Sequence, residues 1–136
     1  LHKAMEQAKK IGTQFCVILG DIDDFKKVND TYGHEYGDKA LSALASVLYA
    51  HSDEQCRRVY RFGGDEFVMI IDNPHDGEAD RIISAVKDEL VKCSYDISIE
   101  ISSAVGIASG NGSDIIEIVK NADSAMYADK QLYHHR

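Results

Sequence analysis

The stretch Arg61-Phe62-Gly63-Gly64-Asp65-Glu66-Phe67 constrains this chain more than any other part of it. A strand-like run, Val59-Tyr60-Arg61-Phe62, precedes the two glycines. An apolar run, Phe67-Val68-Met69-Ile70-Ile71, follows them. Two such runs joined by Gly-Gly predict a β-hairpin with a tight two-residue turn, because glycine takes positive φ without steric penalty. Asp65 and Glu66 then stand at the hairpin tip. Acids clustered on a rigid tip beside bare backbone suit a Mg²⁺-bound triphosphate. A lone Gly-Gly-Asp-Glu reads more simply as a hairpin whose acids face water, so the rest of the chain must decide.

The remaining elements follow from hydrophobic period. Residues 2–10 read as the end of a helix stopped by Gly12. Phe15-Cys16-Val17-Ile18-Leu19 is a continuous apolar run, the pattern of a central strand covered on both faces. A short helical turn is predicted over Asp24–Thr31, broken near Gly33. An amphipathic helix is predicted over 37–50, with Leu41, Leu44, Ala45 and Leu48 on one stripe. The hairpin occupies about 57–62 and 66–72, and a third helix about 77–92. Ile97, Ile99 and Ile101 alternate with polar residues, which predicts a half-buried strand running on towards Ile107 through a bulge near Ser102-Ser103. Asp114 and Glu117 have capping-box spacing and open a last helix.

This order matches the split β-α-β plan with an added helix. The expected fold class is α+β, an α/β sandwich. Its central, mostly antiparallel sheet of about five strands is flanked by helices in a ferredoxin-like split β-α-β arrangement. The 136 residues read as one domain. If the first strand runs antiparallel to the second hairpin strand, Asp21 and Asp65 fall at the same edge of the sheet.

Bulk properties exclude several classes. A net charge of −8 argues against a nucleic-acid surface, which needs a basic face. It leaves room for a phosphorylated small molecule met through divalent cations. No apolar run approaches the roughly 20 residues that span a bilayer. Cys16, Cys56 and Cys93 lie far apart with no Cys-x-x-Cys pair, which reads as inert thiols in a reducing compartment. The histidines show no zinc-ligand spacing. The chain begins at Leu1, which suggests a piece of a longer protein.

Residues 21–38 form a second acidic cluster, Asp-Ile-Asp-Asp-Phe-Lys-Lys-Val-Asn-Asp-Thr-Tyr-Gly-His-Glu-Tyr-Gly-Asp. Asp21 ends an apolar strand, an awkward place for a carboxylate unless it meets a cation. Asp23 or Asp24 reads as a helix N-cap. Mg²⁺ takes hard oxygen ligands and keeps phosphates and water in its shell, so two carboxylates from adjacent strand ends suffice. Lys26 is either a phosphate contact or a solvated lysine. Asn29 and Asp38 carry hydrogen-bonding ends complementary to a guanine edge. Asp38 otherwise serves as helix N-terminal charge, and Gly33 and Gly37 as turn glycines.

With both clusters in view, the chain resembles the GGDEF family, the diguanylate cyclases. The Gly63-Gly64-Asp65-Glu66-Phe67 signature matches in full. So does Asp21-x-Asp23-x-Phe25-Lys26-x-x-Asn29-Asp30-x-x-Gly33-His34-x-x-Gly37-Asp38, and Ala122-Asp123-x-Ala125-Met126-Tyr127-x-x-Lys130 looks like the family's last helix. The resemblance implies condensation of two GTP molecules to cyclic di-GMP with release of pyrophosphate, across a homodimer. It implies that Asp21, the Ile22 carbonyl and Asp65 hold Mg²⁺ or Mn²⁺, two ions per site. Asp65 or Glu66 would assist deprotonation of the ribose 3′-hydroxyl, and Lys26 would steady transition-state charge. Asn29, His34 and Asp38 would line the nucleoside pocket. Backbone near Phe25, together with Gly63, would wrap the phosphates, and Lys130 would meet their terminal end.

The implied partners are GTP, a second copy of the chain, and fused sensory or phosphodiesterase domains. No nucleic acid and no direct membrane contact are expected, and the implied location is cytoplasmic or the cytoplasmic part of an anchored bacterial protein. Three departures from the family pattern stand out. Glu54 and Arg57 occupy the place of the Arg-x-x-Asp inhibitory motif, which predicts no product-inhibition site. His134 stands where an arginine is usual, so a phosphate contact is weakened or passes to His135 or Arg136. The family's Leu-Thr-Gly-Leu-x-Asn-Arg opening is missing. A GTP-sensing domain that regulates a fused neighbour is the alternative to an active cyclase.

Overall fold

A computed structural model describes residues 14–53, 55–61, 64–111 and 115–134. Strand β1 spans Gln14–Ile22. Helices α1, Phe25–Tyr32, and α2, His34–Ala50, follow it. The hairpin strands are β2, Arg57–Arg61, and β3, Glu66–Asp72. Then come α3, Glu78–Ile97, β4, Ser103–Asn111, and α4, Ile115–His134. Among the described residues the sheet has four strands in the order β2-β3-β1-β4, one fewer than the five expected. Every neighbouring pair is antiparallel. The fold is the α+β sandwich anticipated from the element order. The predicted helix at 2–10 and the capping residue Asp114 lie outside the described residues.

The uninterrupted apolar run of β1 has a direct cause. Cys16, Ile18 and Ile22 face a core shared with α1, α2 and α3, including Leu44, Met69, Ile82 and Leu90. Phe15, Val17 and Leu19 face a second core completed by Val68, Ile70 and α4's Ile118, Ala122 and Met126. A strand buried on both faces has no polar side to show. The two layers also fix which face each later residue takes, since side chains alternate along a strand. Asp21 and Glu66 are register partners, so both project to the α4 side.

Three local expectations change. Residues 97–102 are not a strand. α3 continues to Ile97, ends at Ser98 in the left-handed region (φ 61°), and β4 starts only at Ser103. Ile99 and Ile101 are nevertheless buried, and the Ile101 N–H donates to Ser94 Oγ at 2.9 Å. Their alternation records a loop tucked under the core rather than sheet pairing. Among the described residues the last β2-β3 pair is Arg61↔Phe67, a register that a two-residue turn does not produce. Gly64 does not take positive φ, and Gly63 lies outside the described residues. Gly37 is not a turn glycine: it lies inside α2, buried. A Cβ there would sit 1.7 Å from Asn29 Oδ1. Gly33, with φ 95°, does make the break between α1 and α2.

Helix α4 is seated against β4 by close backbone approach. A Cβ on Gly106 would lie 2.0 Å from the Ala122 carbonyl oxygen and 2.3 Å from the Met126 nitrogen. Only glycine allows that contact. It brings the end of α4 over the end of β1, where the acids gather.

Candidate active site

The site centres on Asp21, which is 1% exposed. Strand β1 carries it to the sheet's end on the α4 face, and α4 delivers Lys130 to meet it. Lys130 Nζ lies 2.5 Å from Asp21 Oδ2. The other oxygen, Oδ1, is buried and has no hydrogen-bond partner among the described residues. Burial pushes the Asp21 carboxyl up to about 6. Lys130 pulls against that shift, and the negative charges of Asp65 and Glu66 add to it. Burial disfavours the Lys130 ammonium, but Asp21, with Asp65 and Glu66 behind it, holds the amine above its usual range. Three acids therefore share one field around one lysine.

Asp65 directly precedes β3, and Glu66 is its first residue, paired with Asp21 across the strands. The turn is steadied by Arg61, whose guanidinium donates to the Gly64 carbonyl. Asp23, just past β1, is clasped to the segment before β4. Its N–H donates to the Ser102 carbonyl at 2.9 Å, and Ser102 Oγ donates to its Oδ2 at 2.7 Å. Burial raises its pKa, Ser102 opposes this, and Asp129 adds to it. Asp24 occupies the N-cap position of α1 in the left-handed region (φ 51°) without a side-chain cap bond. The anticipated side-chain N-cap is thus absent. The turn is instead the conformation Asp and Asn tolerate best after glycine.

The remaining candidates spread around this centre. Phe25 packs against the larger core and Lys26 is exposed beside it on the first turn of α1. Asn29 projects from α1 onto the bare Cα of Gly37, next to Asp38. Asp38 is exposed, lies past the first turn of α2, and lines a groove of about 490 Å³ with Glu35, Lys39, Cys93 and Asp96. Its position beyond the first turn weakens the helix-charge reading. His34 is exposed at the start of α2. Ile22, the last residue of β1, is buried. Gly63 lies outside the described residues, and so do Glu54, His135, Arg136 and the side chain of His134.

The donor set fits a small hard cation. An orphaned carboxylate oxygen, buried and flanked by two further acids, is costly without a positive partner. Among the described residues no three His, Cys, Asp or Glu side chains stand together closely enough to hold a metal ion by themselves. Mg²⁺ does not need one, since substrate phosphates and water fill most of its octahedron. Asp129 was not anticipated from sequence. It joins β4 and α3 beside the site, and its main partner is a backbone N–H, which leaves no trace in a side-chain motif.

Comparison with known proteins agrees with this architecture. The family model described as "Diguanylate cyclase, GGDEF domain" matches residues 1–136, and the chain belongs to that family. The chain is 33% identical over 136 residues to diguanylate cyclase DosC of Shigella sonnei, covering 95% of this chain and 29% of that protein. It is 38% identical over 138 residues to the bifunctional diguanylate cyclase/cyclic di-GMP phosphodiesterase MucR of Pseudomonas aeruginosa, covering 96% and 19%. It therefore spans less than a third of these curated relatives. The active GGEEF domain of a diguanylate cyclase from Vibrio cholerae superimposes with a TM-score of 0.79 at 27% identity, covering 95% of this chain and 84% of that one.

Proposed function

We propose that this domain is a diguanylate cyclase that condenses two GTP molecules into cyclic di-GMP and pyrophosphate. The observation that carries the reading is Asp21: a buried carboxylate with one oxygen orphaned, beside Asp65 and Glu66 and facing Lys130. Asp21, the Ile22 carbonyl and Asp65 would hold Mg²⁺ or Mn²⁺, two ions per site. Bound there, such ions align attacking and leaving oxygens and offset developing charge.

The chain's own residues do the rest. Asp65 or Glu66 takes the proton as the ribose 3′-hydroxyl attacks the α-phosphorus of the other GTP, and pyrophosphate departs. Lys26 offsets charge in the transition state, and Lys130 meets the terminal phosphates. Asn29 and Asp38 recognise the guanine edge, and His34 completes the nucleoside pocket. Backbone around Asp24 and Phe25, with Gly63, wraps the phosphates, and the left-handed turn at Asp24 suits such close approach. Each chain holds one GTP, so turnover takes a two-fold homodimer. Arg57, in the region of the family's inhibitory motif, is engaged by Glu78 and by the His51 carbonyl, which supports the absence of product inhibition.

We place this single domain in a larger bacterial protein, on the cytoplasmic side. No described helix is long and apolar enough to cross a membrane. MucR's bifunctional name and the short share of it matched favour one second reading, a GTP-binding domain regulating a fused phosphodiesterase.

The test is incubation of a dimeric form with GTP and Mg²⁺, with Asp65→Asn alongside. Cyclic di-GMP that disappears in the variant supports the cyclase. GTP binding without product supports the regulatory domain. ATP binding as tight as GTP would overturn the roles of Asn29 and Asp38.

A further inference from the structure

Among the described residues, the last turns of α4 carry Lys130 and are held by polar contacts rather than by the core. Among the described residues, α4 contributes Ile118, Ala122 and Met126 to the core, and nothing beyond Met126. Tyr127 and Leu132 are well exposed, at 64% and 68%. Gly106 and Gly110 seat the helix through residues 118–126, ahead of the functional lysine. A lysine's four-carbon stem has many rotamers, and a fraying helix end would multiply them.

Asp129 supplies such a polar restraint. Its Oδ2 accepts the Val105 N–H at 2.8 Å and also Lys87 Nζ at 3.2 Å. Val105 belongs to β4, which is an edge strand. Its register partner on β1 is Gly20, the residue before Asp21. Lys87 comes from α3, which packs on the opposite face of the sheet from α4. One carboxylate oxygen thus ties the end of α4 to the rigid edge of the sheet and to a helix of the other layer. The next residue is Lys130.

We infer that Asp129 is a positioning residue, which fixes the final turns of α4 so that the Lys130 ammonium is held at the Asp21 end of β1. The inference concerns placement of Lys130, and its consequence for GTP rests on the phosphate role proposed above. Removing the Asp129 carboxylate releases the helix end from Val105 and Lys87 and widens the range of positions Lys130 samples. Its contribution to GTP binding therefore passes through Lys130.

The test has two arms on the same protein. First, lysine acetylation rates are measured by mass spectrometry without nucleotide. Asp129→Ala should raise the rate at Lys130 by about threefold or more while Lys120, earlier on α4, stays unchanged, as expected when one local restraint is lost. Asp129→Asn keeps an acceptor for Val105 and should give an intermediate rise, as should Lys87→Met. These two carry this arm if the Ala variant does not fold. Lys130 labelling equal to wild type in all folded variants overturns the inference.

Second, GTP binding is measured in a double-mutant cycle. Asp129→Ala should weaken it about tenfold alone and less than about twofold in a Lys130→Ala background, the signature of coupled residues. Equal losses in both backgrounds mean that Asp129 acts on the fold at large, and overturn the inference. Altered Lys130 labelling in a protein that binds no GTP at all would keep the positioning role and refute the cyclase reading instead.

Discussion

Two buried acids in this molecule meet cations in opposite circumstances. Glu78, 7% exposed, pairs with Arg57 at 2.8 Å and also accepts the His75 N–H at 3.0 Å. The His75 N–H bond lowers its pKa, burial opposes this, and Arg57 lowers it further. Asp21, 1% exposed, meets Lys130 at 2.5 Å, yet its second oxygen has no partner and its pKa rises to about 6. Both have one cation, and the difference lies in the remaining oxygen. Glu78 is satisfied and acts as a latch between β2 and the start of α3. Asp21 is left short of positive charge among like-charged neighbours, an arrangement that costs stability and suits a ligand.

The comparison breaks most visibly in activity. Asp21→Asn should reduce cyclic di-GMP formation by about 10³-fold, on the scale of losing a preorganised electrostatic contact. Arg57→Ala should leave turnover within about twofold of wild type, because the proposed chemistry gives the Arg57–Glu78 pair no role. Product formation measured on both variants decides it; comparable losses would mean that the two acids do not differ in kind.

Stability against pH sharpens the same contrast, with opposite signs. Asp21 takes up its proton near pH 6 when folded but near its ordinary 3.8 when unfolded. Between those values the folded state binds the extra proton, so Asp21's contribution falls as pH rises through the window. The full penalty above it is on the order of 3 kcal/mol. Denaturant melts from pH 4 to 7 should show Asp21→Asn gaining on wild type as pH rises. Glu78, with its pKa lowered, stabilises above its ordinary 4.5 and loses that contribution as pH falls through the lower folded value.

Next in size, Arg57→Ala leaves Glu78 buried without its cation and should cost about 2 kcal/mol, less than a fully buried pair because Arg57 is 30% exposed. Urea unfolding at pH 7 measures it, and an unchanged midpoint would demote the latch. The smallest effect on the fold belongs to Gly37→Ala. Helix propensity favours alanine by about 1 kcal/mol, while the new methyl evicts Asn29 from its seat. Stability should change little, and the preference for GTP over ATP in direct binding should fall by about tenfold if Asn29 reads the base.

Much of the fold was legible because burial writes itself into side-chain period. β1 shows no polar face because both of its faces are covered, and the stripes of α2, α3 and α4 appear at helical spacing. The errors came where burial occurs without regular structure. Ile99 and Ile101 alternate like a strand, but they lie in a loop that Ser94 fastens through both backbone groups of Ile101. The role of Gly37 was missed because its reason is a side chain on another helix. At the site, the acids were visible as residue types at strand ends. That Lys130 stands on Asp21, and that Asp129 is fastened to a backbone N–H, required the packing of α4 on β4.

The order of residues alone determined the family signature, the element sequence and the two acidic clusters, since these depend on local pattern and residue chemistry. Only the tertiary structure decided which acid is stranded and which is satisfied. Asp21 and Glu78 are both carboxylates at the ends of elements. Their fates differ because packing gave Glu78 a guanidinium and an N–H, and left one Asp21 oxygen buried with none.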